Sequence, residues 1–231
     1  MSEDLVLEQV IASPKLCLYA ERIQDVLQAE RKKRMQFYEI VSSDDKAEFI
    51  NGEIIYHSPV KLQHNVAQKL LLKLLDTYVQ LHGLGFVGHE KLLIALSRND
   101  YEPDVCFFTR EKATSFTPRQ DRFPAPDFIA EVLSESTASR DRGVKFEDYA
   151  AHGVGEYWLV DPESHVIEQY VLRHGQYELL LKVNSGYLAS TVIADFTIPV
   201  QAIFDEAQNL LGFTRTAGPL KGTSRTGSRN G

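Results

Sequence analysis

The chain has 231 residues, of which 43% are hydrophobic and 25% are charged, and its net charge is −7. This composition is typical of a globular protein with one sizeable core. The acidic balance argues against a protein that coats nucleic acid through bulk charge, because such binding uses clustered Lys and Arg. It does not exclude a nuclease, in which a divalent cation partly neutralises a carboxylate pocket.

The sequence also argues against a membrane protein and against a disulfide-rich protein. No apolar run approaches the roughly 18 to 20 residues that cross a bilayer, and the N-terminus is acidic where a signal peptide would be basic. We therefore expect a cytoplasmic protein without a membrane partner. The two cysteines, Cys17 and Cys106, are too few for a disulfide framework, and their apolar neighbours predict that both are buried thiols.

The N-terminal part is predicted to begin with a helix. Residues 16–37 carry an apolar stripe at helical spacing, formed by Leu16, Tyr19, Ile23, Val26 and Leu27. A basic run at residues 31–34 lies within this segment. Residues 47–56 then form two short β-prone runs about Asn51-Gly52, which predicts a β-hairpin.

A long amphipathic helix is predicted next, because apolar residues recur mostly at three and four positions from Gln63 to Leu81. Gly83 is expected to end it. Residues 83–88 match the letters of a GxGxxG fingerprint. They follow a helix and lead into a strand, the reverse of the dinucleotide-binding order, so nucleotide binding there is not expected.

The remaining elements alternate in a pattern typical of an α/β protein with a mixed central sheet flanked by helices. Nearly continuous apolar runs predict central strands at 86–96, 101–109 and 126–133. A second helix is predicted over 140–152, and further strands over 156–160, 165–172, 177–183 and 188–193. We expect Tyr157 and Trp158 to pack in the core.

Three regions are predicted from these elements. Residues 1–37 form an N-terminal helical extension and residues 38–213 form the main domain. Residues 214–231 form a disordered basic tail, because Gly, Ser, Thr and Arg dominate beyond Phe213.

Two acids interrupt the apolar central strands. Asp104 begins one run and Glu131 lies inside another, and a charge in such a place is costly unless it is paired or binds a metal. If the two strands bring these acids together, a divalent cation is the simple remedy for their repulsion. The alternatives are a structural ion pair or two exposed strand ends.

Several separated motifs then resemble one family. They are Glu48 to Ile54 followed by His64, Pro103-Asp104, Glu131 to Ser134, the set Asp141, Lys145 and Tyr149, and Gly153 to Pro162. In this order they resemble a family of putative restriction endonucleases, abundant in cyanobacteria and long carried as a domain of unknown function. That family belongs to the PD-(D/E)xK nuclease superfamily, and the resemblance spans roughly residues 35–200. It implies a restriction-endonuclease-like core.

The resemblance also implies roles for three residues. Asp104 matches the acid of the PD element and Glu131 the acid of the (D/E)xK element, so both are expected to bind metal. The lysine should stand at position 133, which is Leu133 here. Lys145 on the next helix is the expected substitute, as in superfamily members whose lysine has moved to a helix. The alternative is a surface ion pair between Asp141 and Lys145.

Two further site residues are candidates. Glu53 follows the Asn-Gly turn and could bind metal or water, although a solvent-facing hairpin acid fits equally well. His64 opens the long helix, where its imidazole could contact the metal site or the scissile phosphate, and the alternative is a polar residue at a helix start.

The resulting hypothesis is a Mg²⁺-dependent endonuclease, with Mn²⁺ as a possible substitute, that hydrolyses phosphodiester bonds of nucleic acid, with DNA as the expected substrate. A homodimer is plausible because many nucleases that cut both strands pair two sites across a two-fold axis. The N-terminal helix is the candidate contact, or else a cap on the core. Two alternatives remain open: a catalytically inactive nuclease-fold module that binds nucleic acid or a protein partner, and a protein-interaction domain with no nucleic-acid role.

Overall fold

A computed structural model describes the backbone of residues 3–41 and 45–216, and the side chains of residues 5–41 and 45–212. The helices in chain order are α1 (Glu3–Ile11), α2 (Leu16–Ile40), α3 (Leu62–His82), α4 (Arg110–Ala113), α5 (Ala138–Asp141), α6 (Val144–Ala151) and α7 (Glu206–Thr216), with a 3₁₀ turn at Val200–Ile203. The strands are β1 (Ala47–Ile50), β2 (Glu53–Tyr56), β3 (Gly85–His89), β4 (Leu93–Ala95), β5 (Asp100–Tyr101), β6 (Val105–Thr109), β7 (Arg122–Phe123), β8 (Phe128–Val132), β9 (Glu156–Asp161), β10 (Val166–Arg173), β11 (Gln176–Val183), β12 (Tyr187–Ala189) and β13 (Thr197–Pro199).

The chain forms two compact units. Residues 1–57 and 95–101 make the first, and residues 58–94 and 102–231 make the second. The predicted region boundaries at 37/38 and 213/214 stay predictions. No described helix combines the length and the apolar character that crossing a membrane requires.

The first unit contains the predicted hairpin. β1 and β2 pair antiparallel about Asn51 and Gly52, whose φ angles are 50° and 83°. A side chain at Gly52 would also collide with Glu30, because a Cβ atom at this position would lie 2.8 Å from Glu30 Cγ. Both the turn and the packing therefore require glycine at this position.

The second half of α2 is tied to this hairpin. Phe37 is the buried residue of the helix, and its ring packs on Phe49 of β1 with centroids 5.8 Å apart. Arg34 binds Asp100 of β5 through Nε and Nη2, each at 2.6 Å, and Tyr38 donates a third bond to the same carboxylate. Arg34 of the basic run is therefore used to hold the unit together.

The predicted N-terminal helix is confirmed as α2. The side chains in the first half of this helix are largely exposed. From residue 14 through residue 26 every side chain is exposed. Cys17 lies within this stretch, so the expectation of a buried thiol there is wrong, whereas Cys106 on β6 is buried as predicted.

The second unit is built on a six-stranded mixed sheet with the order β11-β10-β9-β8-β6-β3. β8 and β9 run parallel, and the other neighbouring strands run antiparallel. The predicted α/β fold with a mixed sheet is confirmed. The run 86–96, expected as one strand, is divided into β3 and β4, and β4 pairs with β7 outside this sheet.

Helices cover the sheet on both faces. α3 buries Leu71, Leu74 and Leu75 in the main apolar cluster, which also takes Phe107 of β6 and Trp158 of β9. α6 covers the opposite face through aromatic contacts between Phe146, Tyr149, Tyr157, Tyr170 and Tyr177. Tyr157 and Trp158 are fully buried, as predicted. α3 ends at Gly83, whose φ of 62° is the left-handed cap expected there.

The later part of the chain differs from prediction in three places. The helix expected over 140–152 is two helices, α5 and α6, because Gly143 between them has a non-helical backbone (φ −118°, ψ −106°). The strand expected over 188–193 is β12, which ends at Ala189. α7 was not predicted, and it includes residues 214–216 of the expected tail. The rest of that tail lies outside the described residues.

Candidate active site

Asp104 and Glu131 meet because β6 and β8 are neighbouring strands. The register pairs Val105 with Ala130 and Cys106 with Ile129, so the next opposed positions are Asp104 and Glu131. Side chains alternate along strands, and Val105 and Ala130 point into the α3 cluster. The two acids therefore share the other face of the sheet, as the sequence analysis required.

Each carboxylate accepts a hydrogen bond from the backbone beside the other. Val132 N donates to Asp104 Oδ2 over 2.9 Å, and Asp104 N donates to Glu131 Oε2 over 3.3 Å. Asp104 is 4% exposed and Glu131 is 3% exposed. The two acids are thus buried and fixed in orientation by the strands that carry them.

Lys145 on α6 reaches this pair. Its Nζ lies 3.1 Å from Glu131 Oε1 and 3.3 Å from Asp141 Oδ1, and the lysine is only 2% exposed. The alternative of a surface pair between Asp141 and Lys145 is wrong. Tyr149, one helical turn further on, donates its hydroxyl proton to the same oxygen of Glu131 over 3.0 Å. Lys145 and Tyr149 therefore hold Glu131 from above the sheet.

The buried side chains Asp104, Glu131, Asp141 and Lys145, named here the acidic cluster, carry three carboxylates and one ammonium. Within this set negative charge exceeds positive charge by two. The excess acts on the neighbouring Tyr157, whose pKa is raised well above its ordinary value by burial and then by Glu131 and Asp141. A site of this charge favours an additional cation.

His64 lies at the same end of the sheet. The first turn of α3 places its Nε2 3.3 Å from Asp104 Oδ2, and the residue is 4% exposed. Its Nδ1 is buried and makes no hydrogen bond to any residue that the structure describes. Gln68, one turn later, donates to the carbonyl oxygen of Asp104 over 3.1 Å. The structure thus brings together four predicted site residues, Asp104, Glu131, Lys145 and His64.

Glu53 has a different setting. It is exposed at the start of β2 in the first unit, opposite Ile50, and its role stays a prediction. Glu48 of the same motif is fully buried, with its Oε2 3.1 Å from His57 Nε2. The sequence offered a signal for Glu48, since it is an acid inside a short apolar strand.

Three further residues contribute contacts to the site: Tyr149, Asp141 and Gln68. The sequence pattern gave only weak evidence that they would do so. Asp141, Lys145 and Tyr149 were noted for their spacing of four, which is a helical signal only while one helix continues. Gln68 lies one turn after His64 on α3, and this is the spacing at which two residues share a helix face. No pattern indicated that its amide would bind the backbone of Asp104.

Comparisons with known proteins decide the family. The sequence profile of the Uma2 family, described as putative restriction endonuclease, matches residues 34–201. The chain belongs to this family. An uncharacterized protein from Synechocystis sp. is 32% identical to this Uma2 protein over 168 residues, which cover 70% of this chain and 84% of the relative. The resemblance found in the sequence is confirmed.

A solved structure supports the fold of this Uma2 protein. The crystal structure of a putative nuclease belonging to DUF820 from Anabaena variabilis superposes with a TM-score of 0.64 at 16% identity, covering 75% of this chain and 96% of that chain. The shared fold is the restriction-endonuclease-like fold predicted from the motifs.

The acidic cluster of the Uma2 protein offers carboxylate oxygens, the ligand type that hard divalent cations prefer. Mg²⁺ takes oxygen ligands and is commonly held by one or two carboxylates together with water and substrate phosphate. Asp104 and Glu131 provide two carboxylates on adjacent strands, in a set with excess negative charge. In the described part of the chain, no group of three or more His, Cys, Asp or Glu side chains is arranged to hold a metal ion. The donor set suits Mg²⁺ or Mn²⁺ better than zinc.

Proposed function

We propose that this Uma2 protein is a metal-dependent endonuclease that hydrolyses phosphodiester bonds, with DNA as its substrate. The observation that carries the proposal is the buried convergence of Asp104 and Glu131 under Lys145. Two like charges held together out of water require a compensating cation, and one lysine shared with Asp141 supplies only part of it.

Each residue has a distinct task in this proposal. Asp104 and Glu131 would hold the cation, which when bound polarises a phosphoryl oxygen and lowers the pKa of an attacking water. Lys145 contacts Glu131 through its ammonium group and would provide positive charge beside the phosphate. Tyr149 fixes the rotamer of Glu131 through its 3.0 Å bond. His64 and Gln68 position Asp104 from α3.

The proposal is tested by cleavage assays on purified protein. Plasmid, single-stranded DNA and RNA are incubated with Mg²⁺, Mn²⁺ or EDTA, and the three substrates decide between DNA and RNA. We expect metal-dependent cleavage that falls at least about a hundredfold in Glu131→Gln and Asp104→Asn, because even indirect partners of metal ligands contribute 10- to 100-fold. Thermal melting should show both variants folded, since each removes one of two repelling charges.

Glu163→Gln is a matched control, because Glu163 is an exposed acid outside the acidic cluster. Wild-type protein that cleaves no substrate with either metal would overturn the proposal. So would cleavage that persists in both carboxylate variants.

The inactive module remains the second candidate. It is favoured by Leu133 at the usual lysine position and by Glu131, whose two carboxylate oxygens each accept bonds from the protein. This candidate predicts nucleic-acid binding that EDTA leaves unchanged, with no cleavage. The same assay set therefore separates the two functions.

We also propose that the protein acts as a homodimer through a helical arm, defined as α1 and residues 16–26 of α2. Nine large apolar side chains of the arm are exposed: Leu5, Val6, Leu7, Ile11, Leu16, Leu18, Tyr19, Ile23 and Val26. With each about half exposed, they amount to roughly 800 Å², the area that one partner contributes to a standard interface.

A second copy is the partner that fits the arm. Leu16, Tyr19, Ile23 and Val26 follow the three-four-three spacing of a helix–helix seam. Two identical arms can bury this seam about a two-fold axis.

A further inference from the structure

An exposed ion pair joins the start of α3 to the segment that follows β8. Lys61 Nζ lies 2.6 Å from Glu135 Oε1, and the two side chains are 68% and 80% exposed. Lys61 donates a hydrogen bond to Glu135, and this contact raises the pKa of the lysine and lowers the pKa of the acid. Both groups are therefore charged at neutral pH, and solvent reaches both of them.

This ion pair lies at the rim of the acidic cluster, next to Asp104. On the α3 side, His64 N donates to the carbonyl oxygen of Lys61 over 3.1 Å, and the ring of His64 lies 3.3 Å from the Asp104 carboxylate. On the β8 side, Val132 N donates to Asp104 over 2.9 Å. Glu135 follows Val132 by three residues, which is a distance of at most about 10 Å. The ion pair thus connects the two elements that hold Asp104.

A second ion pair of the same type on α3 has a different location. Lys69 Nζ lies 2.9 Å from Glu206 Oε1 of α7, and these side chains are 55% and 70% exposed. That pair ties two helices to each other, whereas the pair of Lys61 ties a helix to the segment after a strand of the site. The two pairs therefore share their chemistry and differ in their relation to the site.

The buried lysine of the site is poorly placed to bind the phosphates that flank the scissile one. Lys145 is 2% exposed and is shared between Glu131 and Asp141. Flanking phosphates of a strand stay at the solvent-exposed rim, where an exposed ammonium group can contact them. An exposed ion pair adds little stability, so a phosphate oxygen can replace the carboxylate on Lys61 at small cost.

We propose that Lys61 binds a backbone phosphate of the nucleic-acid strand beside the phosphodiester held at Asp104, and that Glu135 competes with the strand for this lysine. Without substrate, the ion pair spans the rim between α3 and the end of β8. A bound strand exchanges the carboxylate for a phosphate. This inference rests on the proposed nuclease function, to which it adds a strand-positioning lysine and an acid that limits affinity.

The test first measures DNA binding without cleavage. A fluorescein-labelled duplex of about 20 base pairs is titrated with each protein in EDTA and in Ca²⁺, between about 50 and 200 mM salt. We expect Lys61→Met to bind about tenfold more weakly and to lower the slope of log K against log salt by about 0.9, the value for one lost phosphate contact on duplex DNA. Lys61→Arg should keep the slope, because the charge remains.

Removing the acid should have the opposite effect. Glu135→Gln should bind the duplex about threefold more tightly, because Lys61 loses its competing partner, and exposed ion pairs have effects of this size. Most of this gain should disappear when Glu135→Gln is combined with Lys61→Met, since no lysine is then left to compete for. An equal gain in both backgrounds would overturn the competition, because Glu135 would then act only as a nearby negative charge.

Lys69→Met and Glu206→Gln are the matched controls, because they break the other exposed ion pair of α3. Both should leave affinity and slope unchanged. Should Lys69→Met weaken binding as much as Lys61→Met, the effect is one of overall charge and the inference is wrong.

Cleavage and melting give independent readouts. With Mg²⁺, Lys61→Met should raise KM about tenfold and change kcat less, a split that a purely structural lysine would not produce. The melting temperature of Lys61→Met should stay close to that of wild type, because the ion pair is exposed. A lower melting temperature with unchanged affinity and slope would assign Lys61 to stability and overturn the inference.

Failure of this inference can be distinguished from failure of the proposed function. If wild-type protein cleaves DNA and Lys61→Met binds equally well, only the Lys61 inference fails. If wild-type protein neither binds nor cleaves, the proposed function fails with it.

Discussion

Lys145 has the most demanding electrostatic position of the site residues. It is 2% exposed, and it balances Glu131 and Asp141, which are equally buried. The attraction in such a pair only offsets the cost of removing the charges from water, so the pair adds little net stability. Removing one member is different, because it leaves the other charges buried without compensation.

We therefore expect Lys145→Met to lower the free energy of unfolding by about 3–5 kcal/mol, the usual cost of breaking a buried ion pair from one side. Urea denaturation measures this change. The double variant Lys145→Met/Asp141→Asn should recover part of the stability, because one buried negative charge is removed as well. Cleavage should be lost in both variants.

Lys69→Met is the control, since Lys69 forms an exposed pair with Glu206 on the same unit and contributes little. A Lys145→Met protein as stable as the control would show that Lys145 does not compensate the buried acids.

At the scale of elements, the junction between α5 and α6 is fastened to the sheet through Glu168 on β10. Arg142, next to Asp141 in the chain, binds Glu168 Oε2 over 2.6 Å, and Lys182 of β11 binds Oε1 over 2.8 Å. The ion pair places the turn that carries Asp141 and the start of α6, so it helps to aim Lys145 at Glu131.

The same contacts predict a dependence of stability on pH. Burial alone would raise the pKa of Glu168, but hydrogen bonds from Arg142, Lys182 and Tyr170 outweigh it and hold the pKa at about 2. Because this value lies below the ordinary value of 4.5, the ionised Glu168 makes its full contribution to the free energy of unfolding above pH 4.5. It is lost as the pH falls towards 2.

Glu168→Gln should therefore reduce the free energy of unfolding at pH 7 by roughly 2 kcal/mol. A conversion of the lowered Glu168 pKa at about 1.4 kcal/mol per pKa unit would give a larger loss. The expected loss is smaller because Arg142 and Lys182 are partly exposed and solvent screens their charges. Denaturation between pH 7 and pH 2.5 measures the difference from wild type, which should shrink below pH 4.5. The exposed Glu178→Gln is the control. A difference that stays constant over this range contradicts the prediction.

At the scale of the whole molecule, the helical arm predicts the oligomeric state. Ile23 lies in the centre of the apolar seam and is 54% exposed. Ile23→Glu should place like charges in the paired seam and convert a dimer into a monomer. Light scattering should give twice the chain mass for wild type and the chain mass for the variant.

Leu81→Glu, which adds a charge at the end of α3 where the side chain is 47% exposed, should stay dimeric. Circular dichroism should show that Ile23→Glu keeps its helix content. A monomeric wild-type protein at assay concentration would remove the homodimer proposal.

The sequence alone determined the elements whose signal is local. The Asn51-Gly52 turn, the periodic apolar face of α3 and the apolar runs of β6 and β8 each depend on residues within a few positions of one another, and all were predicted. Asp104 and Glu131 could be chosen for the same reason, since an acid in an apolar strand is conspicuous without any knowledge of its neighbours.

The tertiary structure decided what depends on residues far apart in the chain. That Lys145 is buried against Glu131, and not paired with Asp141 in solvent, follows from α6 packing on the face of the sheet opposite α3. The break between α5 and α6 at Gly143 could not be predicted from the sequence either. The exposure of the apolar seam of α2 was also unpredictable, because helical spacing shows that residues share a face but not what that face contacts. Side chains separated by tens of residues meet only when strand order and register are set, and this is the physical reason that the site had to be seen in the fold.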